Sequence, residues 1–157
     1  MIRCERMSPA TVPHARALLG AFLHEDAHYR ASAGAYGDGG GEALDRALAL
    51  FLAHPAIGFV WLAYADEIAV GACVVCRAIS TSRGTVVAKL DDVTIDPDWQ
   101  RKGVGGAMLS QLRDHLRVEG MTRIDCGCHR ANERAWRFYQ RLGFVALDEE
   151  RLALLIA

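Results

Sequence analysis

Apolar residues recur along this chain with two different periods, and the change of period divides it into helices and strands. Ile2 to Arg6 reads as a short first strand, and Ala10-Thr11-Val12-Pro13 opens a helix capped by Thr11 whose apolar face carries Leu18, Leu19 and Phe22. Glu42 to Ala53 keeps helical spacing, with Leu44, Leu48, Phe51 and Leu52 on one side, and His54-Pro55 ends it. The period then shortens. Gly58 to Ala65 and Ile68 to Arg77 read as strands joined by a turn at Asp66-Glu67, and Ser80 to Gly84 turns the chain into a long strand ending at Ile95. Val104, Met108, Leu112 and Leu116 recur every four residues and predict a helix ending near Gly120. Arg123 to His129 returns as a strand, Asn132 to Leu142 is helical and stopped by Gly143, and Phe144 to Leu147 and Leu152 to Ile156 read as closing strands. The order is βααβββαβαββ, an α/β (α+β) arrangement. Between the first two helices, Ala31 to Gly41 carries Gly34, Gly37, Gly39, Gly40 and Gly41 and reads as a mobile loop. No strand precedes it and no basic or hydroxyl residue closes it, so it is not a phosphate loop.

At 157 residues the chain fits a single domain, 1–157, able to bury about two-thirds of its unfolded surface. Its net charge is −1 and its 18 basic residues are spread along the length, which leaves no electrostatic case for nucleic acid. No window approaches the ~20 apolar residues of a membrane span, and Met1 to Arg6 lacks the apolar centre of a signal peptide; the expectation is a cytoplasmic protein without membrane contact. The five cysteines are odd in number, and four lie in runs that read as strands, as expected of reduced, packed thiols. Cys73 and Cys76 with Cys126 and Cys128 have a superficial zinc spacing. Residues three apart on a strand face opposite ways, so no metal site is expected.

The segment with the clearest chemistry is Asp96-Pro97-Asp98-Trp99-Gln100-Arg101-Lys102-Gly103-Val104-Gly105-Gly106, where a strand enters a glycine-rich turn and passes straight into a helix. A helix N-terminus offers N–H groups without intrahelical partners and roughly half a positive charge, both suited to a pyrophosphate. Gly103, Gly105 and Gly106 would let phosphate oxygens reach the backbone.

This segment resembles the Q/RxxGxG/A motif of the GNAT (GCN5-related) N-acetyltransferases, met by Gln100, Gly103 and Gly105. Some thirty residues on, Asn132, Ala135, Tyr139, Gly143 and Phe144 form NxxAxxxYxxxGF, which is similar to the family's second signature. The two motifs, in the right order, cover roughly Lys89 to Val145. The resemblance implies a single mixed sheet of about seven strands with helices on both faces. It also implies acetyl-CoA as cosubstrate, its pantetheine arm lying in a splay between the strand ending at Ile95 and the strand Arg123 to His129. Backbone groups of Val93 to Ile95 would hold that arm. Gln100, Arg101, Lys102, Gly103, Val104, Gly105 and Gly106 would surround the pyrophosphate, with Arg101 and Lys102 also near the 3′-phosphate. Asn132 would cap the following helix or bind the pantetheine region, with Ala135 beside it.

Acetyl transfer to an amine needs a base, because alkylamines are protonated below about pH 10. Asp91 and Asp92 are the candidates, and on a regular strand only one of them faces the acceptor. Family habit favours Asp91 slightly, with a bridging water; His129 or water is the alternative. Tyr139 matches the tyrosine that donates a proton to the departing sulfur, or it packs with Trp136 and Phe138 as a core aromatic. Reaction is expected to be direct attack in a ternary complex, without an acetyl-cysteine. Relatives admit the acceptor beside the first two helices, where Glu25, Asp26 and Asp38 would draw in a small cationic amine or only solvate a helix end. The function read from this is acetylation of the primary amine of a small molecule by a homodimer paired through Leu152 to Ile156. The alternatives are an acyl-CoA sensor without catalysis and a protein N-terminal acetyltransferase. A nicotinamide oxidoreductase fits poorly, since Gly103 to Met108 lacks the last glycine of GxGxxG and comes late in the chain.

Overall fold

The computed structural model describes residues 1–156; Ala157, the last residue of the expected domain, lies outside them. Five strands form one sheet in the order β1 (Ile2–Arg6), β2 (Gly58–Ala65), β3 (Ile68–Ser80), β4 (Thr85–Ile95) and β5 (Ile124–Cys126). The first four are antiparallel neighbours, and β5 runs parallel to β4. This is an α+β architecture with a mixed sheet. Five helices accompany it: α1 (Val12–Glu25), α2 (Ala27–Tyr36), α3 (Gly40–Ala53), α4 (Val104–Val118) and α5 (Glu133–Arg141). Among the described residues, no helix is long and apolar enough to cross a membrane.

The alternation of β2 and β3 divides the core into two layers. Val60, Leu62, Tyr64, Ala72 and Val74 pack against Leu18, Leu19, Leu44 and Leu48 of α1 and α3. Phe59, Trp61, Ala63, Cys73 and Val75 face the other way, onto Val104, Met108, Leu112 and Leu116 of α4, all at most 2% exposed. Cys73 and Cys76 belong to opposite layers, as strand geometry requires.

Two expectations are corrected. The glycine-dense segment is not a loop throughout: α2 takes Ala27 to Tyr36, leaving only Gly37 to Gly39 between α2 and α3. Asp26 starts α2 by accepting a bond from the Tyr29 amide at 2.8 Å, and Gly37 stops it in the left-handed conformation (φ 68°). The sheet has five strands where about seven were expected. β5 is three residues long, and Phe144 to Leu147 and Leu152 to Ile156 pair with nothing. From Val145 onward the chain makes no backbone–backbone hydrogen bond among the described residues. Side-chain contacts hold it in place of a ladder: Arg151 packs on Gly127 just beyond β5, and Leu155 packs on Gly37.

Candidate active site

The site is a cleft opened by the divergence of β4 and β5. Ala88, Lys89 and Leu90 pair with Ile124, Asp125 and Cys126, and there the parallel ladder ends. From Asp91 to Ile95 the strand keeps only β3 as a neighbour, so this stretch presents backbone groups to the cleft. A bulge lies in the same stretch. Val74 opposes Asp91 and Ala72 opposes Thr94, so Cys73 alone faces both Asp92 and Val93. Asp92 sits at φ 52°, a left-handed conformation that costs a side-chain-bearing residue of order 1–3 kcal/mol and that tends to occur at functional positions.

The bulge breaks the alternation of the strand, and Asp91 and Asp92 both line the groove, of about 2380 Å³. The expectation that only one of them would face the acceptor rests on regular alternation, which the bulge interrupts. Their environments nevertheless differ. Asp91 accepts a hydrogen bond from Arg151 Nη1 at 3.1 Å. Among the described residues Asp92 has no such partner: burial and then the charge of Asp91 push its pKa up to about 6, partly opposed by Arg151.

Tyr139 lies on α5, which Asn132 starts by accepting a bond from the Ala135 amide at 3.1 Å. Its ring stands edge-on to Phe138 and Phe144, with centroids 5.2 and 5.3 Å away, and it borders the groove. Burial, reinforced by the neighbouring Cys126 and Cys128 thiols, pushes the phenol well above its ordinary range. The group therefore stays protonated. The same burial pushes Cys126 up to about 11 and raises Cys128, so neither thiol is a ready nucleophile at neutral pH.

Helix α4 begins without a side-chain cap. Gly103 occupies the cap position at φ 81°, and the first amide bonded back into the helix start is that of Ala107, to the Gly103 carbonyl at 3.1 Å. Val104 fixes this turn to the core at 2% exposure. The three glycines have unlike reasons to be glycine. A β-carbon at Gly103 or Gly106 would meet nothing within 4 Å, whereas one at Gly105 would lie 3.0 Å from the Phe138 ring. Gly105 thus admits α5, and Gly103 and Gly106 leave the backbone open. Gln100 donates from Nε2 to the Ile95 carbonyl at 3.2 Å, closing the end of β4. Lys102 lies over the Trp99 ring with Nζ 5.2 Å from its centre, and Arg101 is exposed.

The geometry has counterparts among known proteins. The family model of the acetyltransferase (GNAT) family matches residues 23–144, well over half of the chain. The chain belongs to the GNAT family. Over 94 residues it is 33% identical to the mycothiol acetyltransferase of Propionibacterium freudenreichii subsp. shermanii, covering 60% of this chain and 25% of that protein. Over 57 residues it is 37% identical to the ribosomal protein bS18-alanine N-acetyltransferase of Escherichia coli, covering 36% of this chain and 38% of the other. The aligned stretches thus span well under half of these relatives' length. The structure of AAC(6')-Iy in complex with the bisubstrate analogue CoA-S-monomethyl-acetylneamine superposes with a TM-score of 0.74 at 17% identity, over 100% of this chain and 99% of that one. That likeness shows the shared GNAT fold.

On this GNAT scaffold the far wall of the groove is α2, which the reading of the sequence missed. Tyr29 and Tyr36 stack with centroids 6.1 Å apart, and the Tyr29 hydroxyl donates to Asp38 at 2.8 Å. Burial first, then Asp38, pushes Tyr29 up to about 12, and the charge of Asp92 adds to the effect. Asp38 also accepts from Arg30 and from the Gly40 amide, and Asp26 is the α2 cap; both acids serve the helix. Glu25 ends α1, exposed. His129 shares a hydrogen bond of 3.2 Å with Ser32, which ties the alternative base to α2. Arg151 was also missed. The only sequence signal for α2 was Asp26 with Gly37 as paired end markers, and nothing local marked Arg151, which reaches the site across 60 residues.

Proposed function

We propose that this GNAT protein is an N-acetyltransferase that moves the acetyl group of acetyl-CoA to the primary amine of a small molecule by direct attack in a ternary complex. The observation that carries the reading is the groove lined by Asp91, Asp92 and Val93 of β4, by Asn132 and by the Tyr139 phenol; the uncapped start of α4 follows the end of β4 and lies outside that lining. The residues fit the cosubstrate: the backbone at Gly103 and Gly106 faces open space suited to a pyrophosphate, with Arg101 and Lys102 nearby. The edge of β4 from Val93 to Ile95 suits an amide-bearing arm; the Ile95 carbonyl keeps one lone pair beside its bond from Gln100.

Acetyl-CoA supplies the activated acyl group. Asp92 accepts the proton that the amine must lose: with a pKa near 6 it is ionised at pH 7 yet more basic than an ordinary carboxylate. We assign this role to Asp92 in preference to Asp91, because the Arg151 guanidinium already occupies the Asp91 carboxylate. Tyr139 gives its proton to the departing sulfur as the C–S bond breaks and the N–C bond forms. Asn132 and Ala135 hold α5 in position for this. Bringing two substrates together in one groove contributes ~7–11 kcal/mol without a covalent intermediate.

The test is thiol release from acetyl-CoA across diamines, aminoglycosides, amino acids and short peptides, wild type beside Tyr139→Phe. Amine-dependent release that falls in the variant supports the reading. Tight binding of acetyl-CoA with no accelerating amine would favour a regulatory acyl-CoA sensor, and release with peptides alone a protein N-terminal acetyltransferase. The exposed Leu152, Leu154 and Ile156 side chains are the proposed homodimer surface, which the molecular mass in solution checks. A cytoplasmic setting is part of the same proposal.

A further inference from the structure

The C-terminal segment lies against the groove, held there by the side chains of Glu150, Arg151 and Leu155. Arg151 donates from Nη1 to Asp91 at 3.1 Å. Its guanidinium lies so close to the backbone that a β-carbon at Gly127 would be 2.9 Å from Cζ. Glu150 pairs with Arg130 at 3.4 Å, and Leu155 presses on Gly37, where a β-carbon would be 2.9 Å from Cδ2.

Nothing stronger fixes it. The backbone beyond Val145 joins no ladder, and Leu152, Leu154 and Ile156 stand in solvent. The Arg151–Asp91 pair is 50% and 40% exposed, and pairs so exposed contribute only ~0–1 kcal/mol. A segment held this way exchanges readily for another cation.

The bulge that aims both carboxylates into one groove leaves them unequal. Asp91 holds a cation, and Asp92, the next residue, holds none. The stacked Tyr29 and Tyr36 rings on the facing wall add surfaces that favour positive charge. Building on the acetyltransferase reading, we infer that the place of the Arg151 guanidinium beside Asp91 is a cation subsite of the acceptor. The acceptor is an amine with a second positive group, ammonium or guanidinium; it displaces Arg151 from Asp91 while its reacting nitrogen lies at Asp92. Arg151 is thereby an internal competitor and sets specificity against amines with a single charge.

The experiment compares 1,4-diaminobutane with butylamine as acceptors for wild type, Arg151→Ala and Arg151→Lys. Acetyl-CoA affinity is measured separately by calorimetry, and the Arg151 Nε–H resonance is followed by NMR. The expected result is a KM about tenfold lower for the diamine, equivalent to ~1.4 kcal/mol. Arg151→Ala lowers the diamine KM further by several-fold and changes that of butylamine less, while Arg151→Lys behaves as wild type. Saturating diamine shifts the Nε–H resonance. A diamine KM that rises in Arg151→Ala would mean that Arg151 supports the acceptor site instead of competing for it, and would overturn the inference. Equal KM values for the two amines, or a resonance unmoved by the diamine, would overturn it as well. Failure to bind acetyl-CoA would sink the acetyltransferase reading instead, with the NMR titration still reporting on the subsite.

Discussion

Between Thr85 and Leu90, β4 is a core strand: Val87, Ala88 and Leu90 are at most 2% exposed, β3 pairs along one side, and β5 pairs with Ala88 to Leu90 on the other. From Asp91 to Ile95 the same strand loses β5, acquires a bulge, and places every residue at intermediate exposure, two adjacent aspartates included. The first half satisfies its backbone within the sheet. The second half leaves backbone edge and carboxylates available to ligands. One strand thus serves as foundation and as working surface, and the contrast predicts that substitutions in the two halves separate stability from activity.

The sharpest test of that separation is Asp92→Asn, whose amide tolerates the left-handed conformation. Its kcat/KM at pH 8 should fall roughly 10²- to 10⁴-fold while acetyl-CoA affinity, read by calorimetry, stays unchanged. In the wild type, kcat/KM should rise with pH through about 6, because the base acts only when ionised. A profile flat between pH 5 and 7 would remove Asp92 from the role. In the closed half, Leu90→Ala should cost about 2–5 kcal/mol in denaturant unfolding, against ~1 kcal/mol for Val93→Ala in the open half. Equal losses would erase the distinction.

A smaller effect follows from linkage. The folded pKa of Asp92 lies above its unfolded value near 3.9, so its ionised form opposes folding. Asp92→Asn should therefore melt higher than wild type at pH 8, by the equivalent of ~2 kcal/mol, and the advantage should vanish as the pH falls below about 4. The two glycines of the α4 start extend the comparison. Gly106→Ala, with open space around it, should stabilise the helix by ~0.5–1 kcal/mol and still weaken acetyl-CoA binding. Gly105→Ala should instead destabilise by roughly 1 kcal/mol, since its new methyl meets Phe138.

Much of this architecture was legible in the chain because it depends on local periodicity. The helical face of Val104, Met108, Leu112 and Leu116 is buried as its spacing implied, and β1 and β2 have the bounds that their apolar patterns suggested. The Gln100 to Gly106 turn and the Asn132 to Phe144 signature pointed to the family to which the chain belongs. Helix α2 was missed because alanines and glycines give little amphipathic contrast, and its existence rests on Asp26 and Gly37 as end markers. The closing strands were overcalled because Val145, Leu147 and Leu152 to Ile156 have strand-like apolarity but no edge to pair with beyond the three residues of β5.

By itself the sequence determined the buried face of α4, where most helices and strands lie, and which two motifs point to the family, since all of these follow from side-chain type at short spacing. Only the tertiary structure decided how Asp91 and Asp92 divide their surroundings, one paired with Arg151 and the other more buried. That division depends on a bulge set by the register of β4 against β3, and on a guanidinium that arrives from 60 residues away; register and long-range electrostatics exist only once the chain has folded.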